Sequence, residues 1–136
     1  MEDEQKEVGK IEIIDHYTEA IVKSFPDKIF VFGDNLVRRG KGGQAIIRDL
    51  PNTFGIPTKR IPSTHIKAYF SDQQDEVNAV VDALLELKKM WEAGSTLVFP
   101  KQGFGKGLAK MNMYSPALYE KMNIFLKKME PRFLQK

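Results

Sequence analysis

Two glycine-rich stretches, far apart in the chain, hold the residues whose types and spacing could do chemistry. The first reads Gly33-Asp34-Asn35-Leu36-Val37-Arg38-Arg39-Gly40-Lys41-Gly42-Gly43-Gln44, the second Pro100-Lys101-Gln102-Gly103-Phe104-Gly105-Lys106-Gly107. A phosphate or diphosphate needs several backbone N–H donors converging on it, and glycine permits both the close approach and the positive φ this requires. Gly40, Gly42 and Gly43 lead into an expected helix over Gln44–Leu50, whose first turn would add unpaired N–H groups and a partial positive charge. Gly103, Gly105, Lys106 and Gly107 form the second candidate cradle. Asp34 and Asn35 stand where their side chains could either hydrogen-bond ligand hydroxyls or cap their own turn. Phe104 could cover a ribose or stack on a base, or plug its loop onto the core. The first stretch lacks the Gly-Lys-Ser/Thr ending of a P-loop and neither has the dinucleotide-binding spacing, which excludes ordinary NTPases and dehydrogenases.

Charge follows the same two stretches. The 136 residues carry a formal net charge of only +3, which alone says little about partners. Its distribution is uneven: Arg38, Arg39, Lys41, Arg48, Lys59, Arg60 and Lys67 fall within residues 37–70 against the single acid Asp49. Lys101, Lys106 and Lys110 fall within residues 95–114 against none. An anionic ligand is expected. Absence of cysteine removes disulfides, thiolate metal sites and cysteine nucleophiles, and two histidines make no metal site. No cofactor is expected. The opening Met1-Glu2-Asp3-Glu4-Gln5-Lys6-Glu7 does not have the basic-then-apolar order of a secretory signal, and no apolar run reaches the roughly 20 residues that span a bilayer. The expectation is a cytoplasmic protein without a membrane partner, its oligomeric state open.

The elements that must position these loops are short. Lys10–Ile14 alternates like a strand entering a core, and a helical stretch is expected at Tyr17–Lys23. Lys28–Phe32 is aromatic and β-branched, the clearest strand. Thr53–Ile56 reads as a further strand, ended by a loop over Pro57–Thr64 on account of its two prolines. Ser71 and Gln74 resemble a capping box for a long helix reaching Gly94, in which Val77, Val80, Val81, Leu84, Leu85, Leu87 and Trp91 recur at helical spacing. Thr96–Phe99 is a second buried-type strand. Ser115 is expected to cap a last helix, with Pro116 in its first turn and a core stripe of Leu118, Met122, Phe125, Leu126 and Met129. Strands alternating with helices predict an α/β fold, a three-layer α/β/α sandwich with a mixed sheet, as one domain over 10–136 after a frayed acidic stretch 1–9. Ligands of such sheets bind beyond the carboxyl ends of the strands, where both glycine loops fall.

Phe30–Leu36, Gly40–Ile46 and Leu97–Pro100 with Gly103-Phe104-Gly105 together resemble the order of motifs in macrodomains over roughly residues 10–130. The likeness extends to small macro-like proteins of bacteriophages and to the terminal ADP-ribose protein glycohydrolase branch. It implies a macrodomain-like fold whose loops surround the ribose and diphosphate of ADP-ribose. It also implies a nucleophilic or diphosphate-contacting role for Lys59, which matches that branch's Ile-Thr-Lys stretch as Ile56-Pro57-Thr58-Lys59. Asp15, after the first strand, takes the place of the family's adenine-contacting aspartate, and could equally cap the next helix. The aspartate that the branch carries after its second glycine loop is replaced by Gly107, with no acid before Glu120. Asp34 is then the candidate to stand in as acid or base.

Three functions follow as expectations. The first is a module binding ADP-ribose or a related nucleotide, with removal of ADP-ribose from a protein or nucleic acid as its enzymatic version. The second is a bacteriophage protein, working in the host cytoplasm, that sequesters or degrades a nucleotide signal of host defence. The third is a nucleic-acid-binding domain, whose affinity would fall steeply with salt.

Overall fold

The computed structural model describes residues 8–134. Residues 1–7 of the acidic stretch lie outside the described residues, and Gly9 already donates its N–H to the Trp91 carbonyl at 2.7 Å. The elements in order are strand β1 (Ile11–Ile14), helix α1 (Glu19–Ser24), strand β2 (Lys28–Asn35), strand β3 (Thr53–Lys59), helix α2 (Gln74–Glu92), strand β4 (Thr96–Pro100), helix α3 (Met111–Tyr114) and helix α4 (Pro116–Met129). Short 3-10 turns occupy Gly43–Ile47 and Ile66–Ala68.

The four strands form one sheet in the order β1-β4-β2-β3. Every strand pair is parallel, so the expected mixed sheet is corrected. Each connection between successive strands is a dozen residues or longer, enough to carry the chain back to the starting edge of the sheet. An isolated bridge between Lys59 and Tyr69 is antiparallel.

Alternation along the strands divides the core. Val31, Ile56, Leu97 and Phe99 face α2 and α4, which contribute Val80, Leu84 and Leu87 and, from the last helix, Leu118, Met122 and Leu126. Phe30, Phe32 and Val98 face the other way, onto Val22 of α1 and Ala45 and Ile47 of the first 3-10 turn.

Four local expectations shift. β3 continues through Pro57 to Lys59, because it is an edge strand with only β2 beside it and tolerates a missing donor there. The expected helix over Gln44–Leu50 is a 3-10 turn, with Ala45 N–H donating to Gly42 O and Arg48 N–H to Ala45 O. The capping box of α2 lies two residues downstream of Ser71–Gln74, at Gln73 and Glu76. Glu76 Oε1 accepts from the N–H groups of both Ser71 (2.7 Å) and Gln73 (2.9 Å). Ser115 does not cap α4 with its own side chain. Its hydroxyl donates instead to Asp72 Oδ1, and that carboxylate accepts from the Leu118 N–H at 3.0 Å, so the cap comes from a distant loop. Among the described residues no helix is long and apolar enough to cross a membrane.

One feature of the sheet positions the site. β2 and β4 pair only from Lys28–Phe30 to Thr96–Val98. Beyond these residues β2 stays paired with β3 and β4 with β1, so the carboxyl edge consists of two separate ribbons. The Tyr17 hydroxyl lies in the gap, 2.6 Å from Val31 O and 2.8 Å from Val98 O, and gives its proton to this pair of carbonyls. Burial pushes the Tyr17 hydroxyl well above the usual tyrosine pKa, which keeps that proton in place.

Candidate functional site

The loop that follows β2 and the loop that follows β4 rise from the two ribbons and close on one cleft of about 1030 Å³. That volume lies at the upper end of the roughly 300–1,000 Å³ usual for small-molecule sites. Gly40, Gly42, Gly43 and Gln44 line it from the first loop; Gly103, Gly105, Lys106 and Gly107 line it from the second. The two candidate cradles therefore share one cavity. They also touch: the exposed Leu108 places its Cδ1 3.2 Å from where a Cβ on Gly42 would lie.

A single side chain joins the loops across the parted strands. Gln44 Oε1 accepts from the Gly33 N–H of β2 at 2.7 Å, and Gln44 Nε2 donates to Gly103 O of the second loop at 2.7 Å. It supplies the bonds that a continuous ladder would have made. Gln44 is in the cleft wall as expected, and its amide is committed to holding the two walls together.

The first loop is shaped by a buried ion cluster on the sheet face opposite α2 and α4. Asp34 is 6% exposed. Its Oδ1 lies 2.6 Å from Arg48 Nη2 and accepts from the Asn35 N–H at 2.7 Å, while Oδ2 accepts from Arg38 Nη1 at 2.9 Å. Gly55 makes room for this carboxylate, since a Cβ there would sit 2.5 Å from Oδ2. Arg48 also donates from Nε to Gly40 O (2.8 Å) and from Nη2 to Arg39 O (3.1 Å), with its guanidinium over the Phe32 ring. The Asn35 side chain accepts from Arg39 N–H and donates to Arg39 O, closing the turn. Asp34 and Asn35 thus build the loop. Each of its oxygens already meets a guanidinium group, Arg48 at Oδ1 and Arg38 at Oδ2, which weighs against the expected acid–base role of Asp34.

Lys59 stands at the end of β3, in the cleft wall. Its ammonium donates to Ser63 O at 2.7 Å and lies 4.9 Å from the centre of the Tyr69 ring. Partial burial, with Lys110 nearby, lowers its pKa from the usual lysine value. Arg39, Lys41 and Lys106 also line the cavity. Among the described residues the only acid in that lining is Asp34, paired with Arg38 and Arg48, so basic side chains predominate in the cleft.

Two expected ligand contacts lie elsewhere. Phe104 is 1% exposed and packs edge-on to Phe99 and beside Phe133, so it anchors the second loop to the core and offers no face to a base. Its neighbours Gly103 and Gly105 take φ of +83° and +86°, the left-handed turn that lets the ring dive inward. Asp15 is exposed, 3.8 Å from Lys101, and is not part of the cleft wall. No group of three or more His, Asp or Glu that could hold a metal occurs among the described residues.

Arg38 and Arg48 count in the sequence only as two bases of the segment 37–70, and their pairing with Asp34 is not legible there. Arg48 directly follows the apolar run Ala45-Ile46-Ile47, and a base drawn under the surface there needs a partner.

Residues 12–125 match the model of a protein family described as a family of unknown function, DUF7831, and the chain belongs to that family. No curated protein and no solved structure matches it.

Proposed function

We propose that this member of the DUF7831 family is a nucleotide-binding module of macrodomain type, which takes ADP-ribose or a related nucleoside diphosphate with its diphosphate between the two glycine loops. One observation carries the reading. Lys41 and Gly42 in one loop, and Gly105 and Lys106 in the other, line the same cavity, and their backbone N–H groups have no intramolecular acceptor among the described residues. Donors left open in a cleft where basic side chains predominate suit a diphosphate, which accepts from several directions at once. The helices on one face of the sheet, with α1 and a 3-10 turn on the other, support reading the fold as a three-layer sandwich.

Binding is favoured over hydrolysis. Removing ADP-ribose from a target with Lys59 as nucleophile needs a proton acceptor in the cleft. Among the described residues Asp34 is the sole carboxylate in its lining, and it is paired with Arg38 and Arg48.

Thermal unfolding with ADP-ribose, NAD, ADP, AMP and cyclic dinucleotides tests the reading. A ligand at a hundredfold excess over its Kd stabilises the native state by about 2.7 kcal/mol, a shift of several degrees in Tm for a chain of this size. ADP-ribose is expected to give that shift and AMP to give much less. A shift with cyclic dinucleotides alone would move the function to a host-defence signal, and no shift with any diphosphate would overturn the proposal. Release of ADP-ribose from a modified protein, lost in Lys59→Ala, would establish the hydrolase instead.

A further inference from the structure

Beside the cleft, beyond Lys59, runs a second groove of about 490 Å³ that the diphosphate reading does not use. It is formed by the segment after β3 and by α3, and the Ser115 hydroxyl bonded to Asp72 clasps these two segments together. Its floor is Tyr69, buried, on which Tyr114 stacks with ring centres 4.9 Å apart and planes 22° apart. Tyr114 remains 38% exposed. Ammonium groups lie close to the Tyr69 ring and in the groove wall. Lys59 and Lys110 lie 4.9 and 5.9 Å from the centre of the Tyr69 ring, and Lys67 lies in the groove wall. Lys110 holds its place in the left-handed conformation, with φ of +48°.

The charges are not balanced locally. Arg60, also in the wall, is taken by Asp75 and Glu76. Lys59, Lys67 and Lys110 have no carboxylate at ion-pair distance among the described residues, and the groove lining holds no acid. Like charges gathered without counter-charges gain from an anion laid between them. Partial burial first, and then repulsion from the neighbouring Lys110, lower the pKa of Lys59.

An aromatic platform flanked by unpaired cations has the two elements that hold an unpaired strand: a face for a base and charges for the phosphates on either side. We propose that this groove is a second binding site, for single-stranded nucleic acid, with one base stacked on Tyr114 and the adjoining phosphates on Lys67 and Lys110. In the sequence these cations and aromatics are scattered; folding interleaves them. The site adjoins the diphosphate cleft, whose wall includes Lys59, but Tyr114 and Lys67 line the second groove and not that cleft.

The test is fluorescence anisotropy with end-labelled thymidine and uridine decamers, at two salt concentrations, with melting curves for every variant. Wild type is expected to bind, more weakly at higher salt. Tyr114→Ala is expected to lose about fivefold or more in affinity while Tyr114→Phe keeps it, since stacking needs the ring and not the hydroxyl. Lys67→Gln, at an exposed position where folding is not at risk, is expected to lower the slope of affinity against salt by about one phosphate contact. Failure of both decamers to bind overturns the proposal. So does unchanged affinity in Tyr114→Ala and Lys67→Gln together, or equal binding of an acidic peptide, which would assign the groove to a protein partner. The thermal response to ADP-ribose, read separately on the same variants, is expected to be unaltered.

Discussion

Replacing Arg48 with methionine isolates the buried ion cluster beneath the first glycine loop. Methionine keeps an apolar stem over Phe32 and removes the guanidinium, hence its pair with Asp34 Oδ1 and its bonds to Gly40 O and Arg39 O. The Asp34 side chain is 3% exposed, so its remaining charge stays out of water. Taking one partner from a buried pair costs roughly 3–5 kcal/mol. Arg38 still faces Oδ2 at 2.9 Å but is half exposed, and reduces this to about 2–3 kcal/mol. The freed carbonyls of exposed Arg39 and Gly40 turn to solvent and add little. At roughly 4 °C per kcal/mol for a chain of this size, Tm should fall by about 8–12 °C. Asp34→Asn made in the Arg48→Met background removes the orphaned charge and should recover part of that loss, giving a coupling of about 1–3 kcal/mol in the double-mutant cycle. Urea unfolding of the four proteins measures these energies, and the Tm response to ADP-ribose should shrink in Arg48→Met because the loop has lost its brace. A loss below about 0.5 kcal/mol, or strictly additive single changes, would refute the reasoning.

Other substitutions probe the remaining supports. Gly105→Ala puts a Cβ 2.9 Å from Met111 Sδ at a φ of +86°, and should cost about 1–3 kcal/mol in urea unfolding. Gly107→Ala, with nothing within 4 Å, should stay within about 0.5 kcal/mol. Gln44→Leu leaves the Gly33 N–H and the Gly103 carbonyl without their partner, and should lower stability by about 1–3 kcal/mol and weaken the ADP-ribose response, both read from thermal unfolding. The Ser115 hydroxyl and the first N–H groups of α4 hold the Asp72 carboxyl below the usual aspartate range. Its stabilisation is therefore complete above the unfolded value of about 3.9 and is lost as pH falls through the lowered native value. Asp72→Asn, which tolerates the φ of +60°, should flatten this acid limb in stability-versus-pH measurements.

Much of the scaffold could be read from local pattern. β2, β4, α2 and α4 announce themselves by alternation or by helical recurrence, and the two glycine loops follow from composition. Features fixed by tertiary placement could not be read this way. Pro57 signals a break, yet lies inside a strand because β3 has a neighbour on only one side. Ser115 has the residue type of a cap, but the carboxylate that performs the task arrives from residue 72. Asp34 has the residue type of a catalytic acid, and only coordinates reveal two arginines already bound to it. Phe104 could be read equally well as a stacking ring or as a plug, and the shape of the core beneath it selected the plug.

Past Phe30 and Val98, each loop is carried by its own two-stranded ribbon, and the side chains of Tyr17 and Gln44 are what fasten one ribbon to the other. The width of the cavity is accordingly governed by two removable struts, not by a backbone lattice. Exchanging residues 17 and 44 is therefore a way to alter that width without touching the glycine loops themselves.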